Sequence, residues 1–147
     1  MIKIDIKWYE DFVNRLGHMV ADETTNKAIK ISIFELQREA QKRTPVDTGN
    51  LRWSYETNFW NLEWELRNTR KYGASVHEGT KPHYAPIKEL RPWARRKGIS
   101  PFAVQKAIAK KGTKGQPWMT NTVNSMENKV NTIFSTEFDK LFQKLSN

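Results

Sequence analysis

The chain has no cysteine among its 147 residues. A disulfide framework, thiol catalysis and cysteine-ligated zinc are thereby excluded, and the composition suits a reducing compartment. Long apolar runs are missing as well. The first twenty residues carry charges throughout, at Lys3, Asp5, Lys7, Glu10, Asp11 and Arg15. A signal peptide needs an uninterrupted apolar stretch and a membrane helix needs about 20 apolar residues. The expectation is a soluble protein made in a cytoplasm.

Histidine is scarce: His18, His77 and His83. Zinc-binding helical motifs place two histidines one turn apart, with a third ligand elsewhere. Between His77 and His83 a Gly-Thr pair and a proline intervene, so these read as loop histidines and no metal site is expected. Gly112-Thr113-Lys114-Gly115 lacks the spacing of a phosphate-binding loop, and no Gly-x-Ser-x-Gly elbow occurs. Glu63 and Glu65 share the polar face of a strand pattern, whereas acid–base chemistry needs two acids gathered in a pocket. No catalytic residue and no cofactor is expected, and the chain does not read as an enzyme.

The length suits one domain, residues 1–147, which can bury roughly two-thirds of its unfolded surface without a disulfide or metal. Its sharpest local signal is Thr44-Pro45-Val46-Asp47-Thr48-Gly49-Asn50-Leu51-Arg52-Trp53-Ser54. Pro45 ends a helical pattern and biases Thr44 away from the helical region. Asp47 can accept a hydrogen bond from the backbone two residues on, Thr48 can do so more weakly, and Gly49 can supply a positive φ. The junction is predicted to turn a helix into a strand.

Elsewhere the patterns are mostly clear. Residues 2–7 alternate as a short strand, and Phe12, Leu16, Met19 and Val20 suggest a short helix over about 9–20. Thr24 or Thr25 can cap a second helix running to about Arg43, with Ile29, Ile33, Leu36 and Ala40 as its apolar stripe. Two alternating strands follow, 51–59 and 62–66, with Leu51, Trp53, Tyr55, Phe59, Trp64 and Leu66 inward. Tyr72 to Glu78 is expected as a third strand closed by Gly79-Thr80, and Glu78 is a candidate partner for Arg52 or for a lysine of another subunit. A helix over about 88–97 is expected with Pro92 in its first turn. A second begins at Ser100-Pro101 and stops at Gly112. After a loop over 113–117, Thr120 or Asn121 is expected to start a final helix, 120–145, whose apolar surface beyond residue 134 is broader than one core needs. The fold class is α+β: a small, mainly antiparallel sheet of three or four strands, covered by the long first helix and the C-terminal helix.

The net charge of +9 is concentrated. Residues 81–114 hold ten lysines and arginines against one acid, Glu89, while the rest of the chain is neutral with fifteen of each sign. This basic helical insertion makes a local field that attracts polyanions or an acidic partner, unless it is simply a solvated surface. Trp93 sits amid Arg91, Arg95 and Arg96, an interleaving that can stack bases and hold phosphates, or can dock a helix while the arginines face water. Of the six tryptophans, Trp53 and Trp64 fit a buried sheet face, while Trp60 and Trp118 are placed at turns as candidate contact anchors.

Pro45-Val46-Asp47-Thr48-Gly49-Asn50-Leu51-Arg52-x-Ser54 resembles the signature of a family of small neck or tail-completion proteins from long-tailed bacteriophages. Three later blocks are similar to that family in the same order: Tyr72 to Thr80, Trp93 to Gly98 with 103–112, and Gln116-Pro117-Trp118-Met119. In the last block the family usually has Pro-Phe-Leu. The resemblance spans roughly residues 2–125. It implies a non-enzymatic structural protein of the virion, at the head–tail junction or tail, present in the host cytoplasm during assembly. The implied partners are other junction and tail proteins and further copies of the chain in a ring, with no membrane. The residues it singles out are Pro45, Asp47, Thr48, Gly49, Leu51, Arg52, Gly79, Thr80, Pro117 and Trp118. Candidate contacts to DNA or an acidic partner are Arg91, Trp93, Arg95, Arg96, Lys97, Lys110 and Lys111. The alternative is a stand-alone basic module that binds nucleic acid.

Overall fold

A computed structural model describes residues 18–147. The strand expected over 2–7 and most of the helix expected over 9–20 lie outside the described residues. Helix α1 (His18–Arg43) runs unbroken through Thr24 and Thr25, so neither threonine caps a new helix. Thr25 is buried inside α1. The predicted stripe is correct: Ile29, Ile33, Leu36 and Ala40 are all buried. Lys42 and Arg43 close the helix and both pair with Glu39.

Strands β1 (Tyr55–Trp60) and β2 (Glu63–Asn68) form an antiparallel hairpin in the register Tyr55↔Asn68 to Trp60↔Glu63. Tyr55, Trp64 and Leu66 face the core, as the alternation predicts. The strand does not reach back to Leu51, because residues 50–53 form a turn. Trp53 is therefore 73% exposed instead of buried in the sheet. At the hairpin tip Leu62 adopts φ 59°, a strained value for a side chain of this kind. Asn26 of α1 holds it there: its Oδ1 accepts from Leu62 N at 3.0 Å and its Nδ2 donates to Asn61 Oδ1 at 3.1 Å.

The third expected strand is a short helix, α2 (Gly73–Glu78), and only Gly79–Thr80 is extended, as β3. β3 pairs with β4 (Thr113–Lys114), which the sequence reading leaves in a loop. Between them lie α3 (Ile87–Lys97) and α4 (Pro101–Lys111). Last comes α5 (Trp118–Leu145), which begins two residues before Thr120. The fold is thus α+β, but among the described residues it has two separate two-stranded antiparallel sheets and no sheet of three or four strands.

The core lies where α5 crosses α1 and the hairpin. Met126, Val130, Phe134 and Phe138 of α5 pack on Ala28, Ile29, Ile33, Leu36 and Ala40 of α1 and on Tyr55, Trp64 and Leu66. α5 runs antiparallel to α1, as two ion pairs show: Lys27 with Glu137, at 2.6 Å, and Glu35 with Lys129. No helix among the described residues is long and apolar enough to cross a membrane.

Candidate functional site

Residues of the second and last resembling blocks meet around Trp118, together with Thr44 and Tyr55, which flank the first. Trp118 is 5% exposed, a correction to its expected place as a contact anchor in a loop. Trp118 Nε1 donates to Tyr55 Oη at 2.7 Å. Tyr55 Oη in turn lies 2.7 Å from Thr44 Oγ1, and Thr44 Oγ1 donates to Ala40 O at 2.6 Å. Because the threonine proton is committed to that carbonyl, the tyrosine proton points to the threonine. One chain of three bonds thus ties the end of α1, the start of β1 and the start of α5. Every buried polar group in it has a partner, as burial demands.

The second block reaches the same point. The His77 ring meets the Trp118 ring edge-on, with centroids 5.1 Å apart. Thr120 Oγ1 lies 3.4 Å from His77 Nε2, and Gln116 N donates to Val76 O at 3.0 Å. This explains the early start of α5: the buried indole fixes the first turn, and the Thr120 hydroxyl faces His77 and caps nothing. The first block is anchored by Asn68, whose Nδ2 donates to Leu51 O at 2.8 Å. Leu51 is buried and reaches toward Gly73 of α2, where an added Cβ would sit 3.4 Å from Leu51 Cδ1. Gly49 has φ 85°, as the turn requires, and the Trp53 side chain lies beside it. Arg52 is half-buried and its Nε has no partner, and no ion pair joins it to Glu78.

From this node the basic insertion projects through a narrow neck. Gly79 pairs with Lys114 and Thr80 with Thr113, and the two threonine hydroxyls meet at 2.9 Å. Gly79 and Gly112 combine positive φ with ψ near 180°, a region open to glycine alone. The strands touch so closely that a Cβ on Gly112 would fall 1.9 Å from Thr80 O, and one on Gly79 would fall 2.4 Å from Thr113 O. Sequence reading expects Gly79-Thr80 as a strand end. That Thr113-Lys114 pairs with it across the neck had one available signal, the Gly-Thr dipeptide repeated at 79–80 and 112–113.

Beyond the neck, α3 ends at Gly98 with backbone N–H groups of Gly98 and Ile99 returned to Arg95 O and Ala94 O. This closure satisfies carbonyls of the last turn. Pro92 lies in the middle of α3 and not in its first turn. Lys88 and Pro92 are both exposed, so water can take the place of the missing N–H at the Lys88 carbonyl. Ser100 begins α4 through its carbonyl, which accepts from Val104 N at 3.2 Å, and its hydroxyl caps nothing. Ala94 is the single residue of the two helices that is buried.

All ten cations of residues 81–114 are exposed. Among the described residues one of them, Arg96, forms an ion pair, and its partner is Asp47 of the first block. Asp47 was the residue expected to bond its own backbone; its carboxylate instead takes Arg96 Nε at 3.1 Å and Arg96 Nη2. The guanidinium bonds hold the Asp47 carboxyl below the usual carboxylate range, with a smaller contribution from Lys97. Arg91, Arg95, Lys97, Lys110 and Lys111 face solvent, and Trp93 stays 36% exposed. Glu63 is exposed, while Glu65 accepts from Asn58 Nδ2 across the hairpin at 3.1 Å. His83 turns its ring back to the Lys81 carbonyl, away from any pairing with His77. Among the described residues no three His, Asp or Glu side chains gather as a metal site.

The arrangement offers two surfaces: a rigid node that joins three parts of the chain, and a basic helical pair held out from it. No family model matches the chain, and no curated protein or solved structure matches it either.

Proposed function

We propose that this chain is a non-enzymatic structural protein of the head–tail junction of a long-tailed bacteriophage, a neck or tail-completion protein that assembles into a ring. The observation that carries the reading is the convergence of the resembling blocks. Three of the blocks, far apart in sequence, form a chain of contacts: Leu51 of the first lies against Gly73 of the second, and Val76 and His77 of the second meet Gln116 and Trp118 of the last. A motif whose parts support one node is the kind that survives as a scaffold, because each part loses its partners if another changes. Closed rings form when a heterologous interface rotates back on itself. Exposed aromatics suited to such contacts are Phe34 of α1, Trp60 at the end of β1 and Trp53 at the turn.

The genes on either side of this one test the reading. Portal and capsid genes on one side and a tail-tube gene on the other are expected. A locus without virion genes, with the protein absent from purified particles by mass spectrometry, overturns it. The second reading, a basic module that binds nucleic acid on its own, draws on one observation: nine of the ten cations in 81–114 have no acidic partner among the described residues.

A further inference from the structure

We propose that the outward faces of α3 and α4 dock the phosphate backbone of a nucleic acid without reading its sequence. Lys88, Arg91 and Arg95 supply the contacts from α3, and Lys106 and Lys110 supply them from α4. The proposal deepens the second reading above and does not depend on ring formation.

Helical spacing groups these side chains. Lys88, Arg91 and Arg95 stand at i, i+3 and i+7, one stripe of α3, and Lys106 and Lys110 stand one turn apart on α4. Ala94, buried, and Ile87 and Leu90, half-buried, mark a different side of α3. On α4 the half-buried side is Val104, Gln105, Ile108 and Ala109, so Lys106 and Lys110 point away from it. Glu89, the one acid of the segment, falls on the side of Trp93 and Arg96, off the stripe. Arg96 is engaged by Asp47 and belongs to the attachment of the pair.

Charge balance selects the partner. The chain outside 81–114 is neutral, so a second copy brings no acid surplus to meet nine uncompensated cations. A nucleic acid does: duplex DNA carries one negative charge about every 1.7 Å along its axis. Contacts of this type hold the backbone and are indifferent to the bases. Phe102 is 65% exposed one turn before Lys106 and gives an unstacked base something to lie on.

The test is fluorescence anisotropy with the full chain, a labelled short duplex and a single strand of equal length, at about 50 and about 200 mM salt. Binding that weakens steeply with salt is expected. Lys88→Gln/Arg91→Gln/Arg95→Gln should weaken it by about tenfold or more and flatten the salt slope by roughly 2–3. Lys30→Gln/Lys71→Gln/Lys144→Gln removes the same charge from exposed positions elsewhere and should stay within about twofold. If the α3 triple lowers the melting temperature, Lys106→Gln/Lys110→Gln is read in its place. Equal losses in the two charge-matched variants overturn the proposal, as does no binding at the lower salt. Polyglutamate binding as tightly as the duplex also overturns it and assigns the surface to an acidic protein. Preference for the single strand, abolished by Phe102→Ala, identifies unpaired nucleic acid as the source of the phosphates. A failed titration beside an intact virion locus would sink this inference and leave the neck reading standing.

Discussion

Arg96 Nε donates to Asp47 Oδ1 at 3.1 Å across 49 positions of sequence, and this contact latches the basic helical pair to the Pro45–Arg52 turn. Apart from the β3–β4 neck the pair has little else to hold it, since Ala94 alone is buried within its helices. Asp47→Asn should therefore raise hydrogen exchange and proteolytic cleavage within 81–112 while leaving the melting temperature of the body unchanged. The pH dependence has a definite sign. The Asp47 pKa is lowered in the folded chain. The latch is therefore intact above the ordinary aspartate range and is lost as the pH falls through the depressed value. Protection in α3, corrected for the intrinsic pH dependence of amide exchange, that does not fall on acidification, or falls equally in Asp47→Asn, would refute the latch.

The neck predicts a graded glycine series. Gly112→Ala and Gly79→Ala force a Cβ into a facing backbone at a φ and ψ open to glycine alone. Each should destabilise the β3–β4 ladder by about 2–4 kcal/mol. Gly98 also has positive φ, but nothing lies within 4 Å of its added Cβ, so Gly98→Ala should cost about 1 kcal/mol. Amide exchange at Thr80 and Thr113 reads the local effect directly. An alanine at Gly98 as damaging as one at Gly112 contradicts the neck geometry.

Because Thr80 and Thr113 are directly paired, the insertion can be removed at its base. Replacing 81–112 by Asn-Gly leaves a two-residue hairpin between them, the connection such a turn favours. The core is built from α1, the β1–β2 hairpin and α5, so the shortened chain should fold with its helical α1–α5 body intact. Circular dichroism and a cooperative melt check this. Collapse to a molten species would mean that the helical pair supports the core.

How far the sequence reveals this architecture depends on the range of the forces involved. The stripe of α1 and the inward residues Tyr55, Trp64 and Leu66 are legible because periodicity is a local record of one buried face. The same alternation misleads at Leu51 and Trp53, where Asn68 fixes a turn and the indole lies outside. Tyr72 to Glu78 misleads because seven residues carry too little propensity to outweigh tertiary context, here the Trp118 ring and Gln116. The neck, the latch and the node join residues 33 to 63 positions apart, as at Thr80 and Thr113, Asp47 and Arg96, and Tyr55 and Trp118, and no local pattern records such pairings.

The node itself makes a non-additive prediction. Tyr55→Phe removes the acceptor of the Trp118 indole and the donor to Thr44 at a buried place, and should cost about 1–3 kcal/mol. Trp118→Phe keeps a large ring, the residue the resembling family usually has here, but removes the N–H. In the double variant both ends of that bond are gone, so the loss should be smaller than the sum of the two singles. Chemical denaturation of the four proteins measures the coupling, and strict additivity would show that the bond contributes nothing.

Glu137 carries the last prediction. Its side chain is 6% exposed, yet it holds two largely solvent-exposed lysines: Lys140, one turn on, at 2.7 Å, and Lys27 of α1 at 2.6 Å. Hydrogen bonds from Lys140 and then Lys27 lower its pKa, against the burial that would raise it. A depressed carboxyl stabilises the fold above its unfolded pKa, and that contribution disappears as the pH falls through the folded value. Glu137→Gln keeps the shape but exchanges charge-assisted bonds for weaker ones, which should cost about 1–2 kcal/mol at neutral pH. Because the lost term is the titrating one, the gap between the variant and the parent should narrow on acidification. Urea denaturation at neutral and acid pH measures it. A constant gap across that range would mean that the Lys27 bridge between α1 and α5 adds no pH-dependent stability.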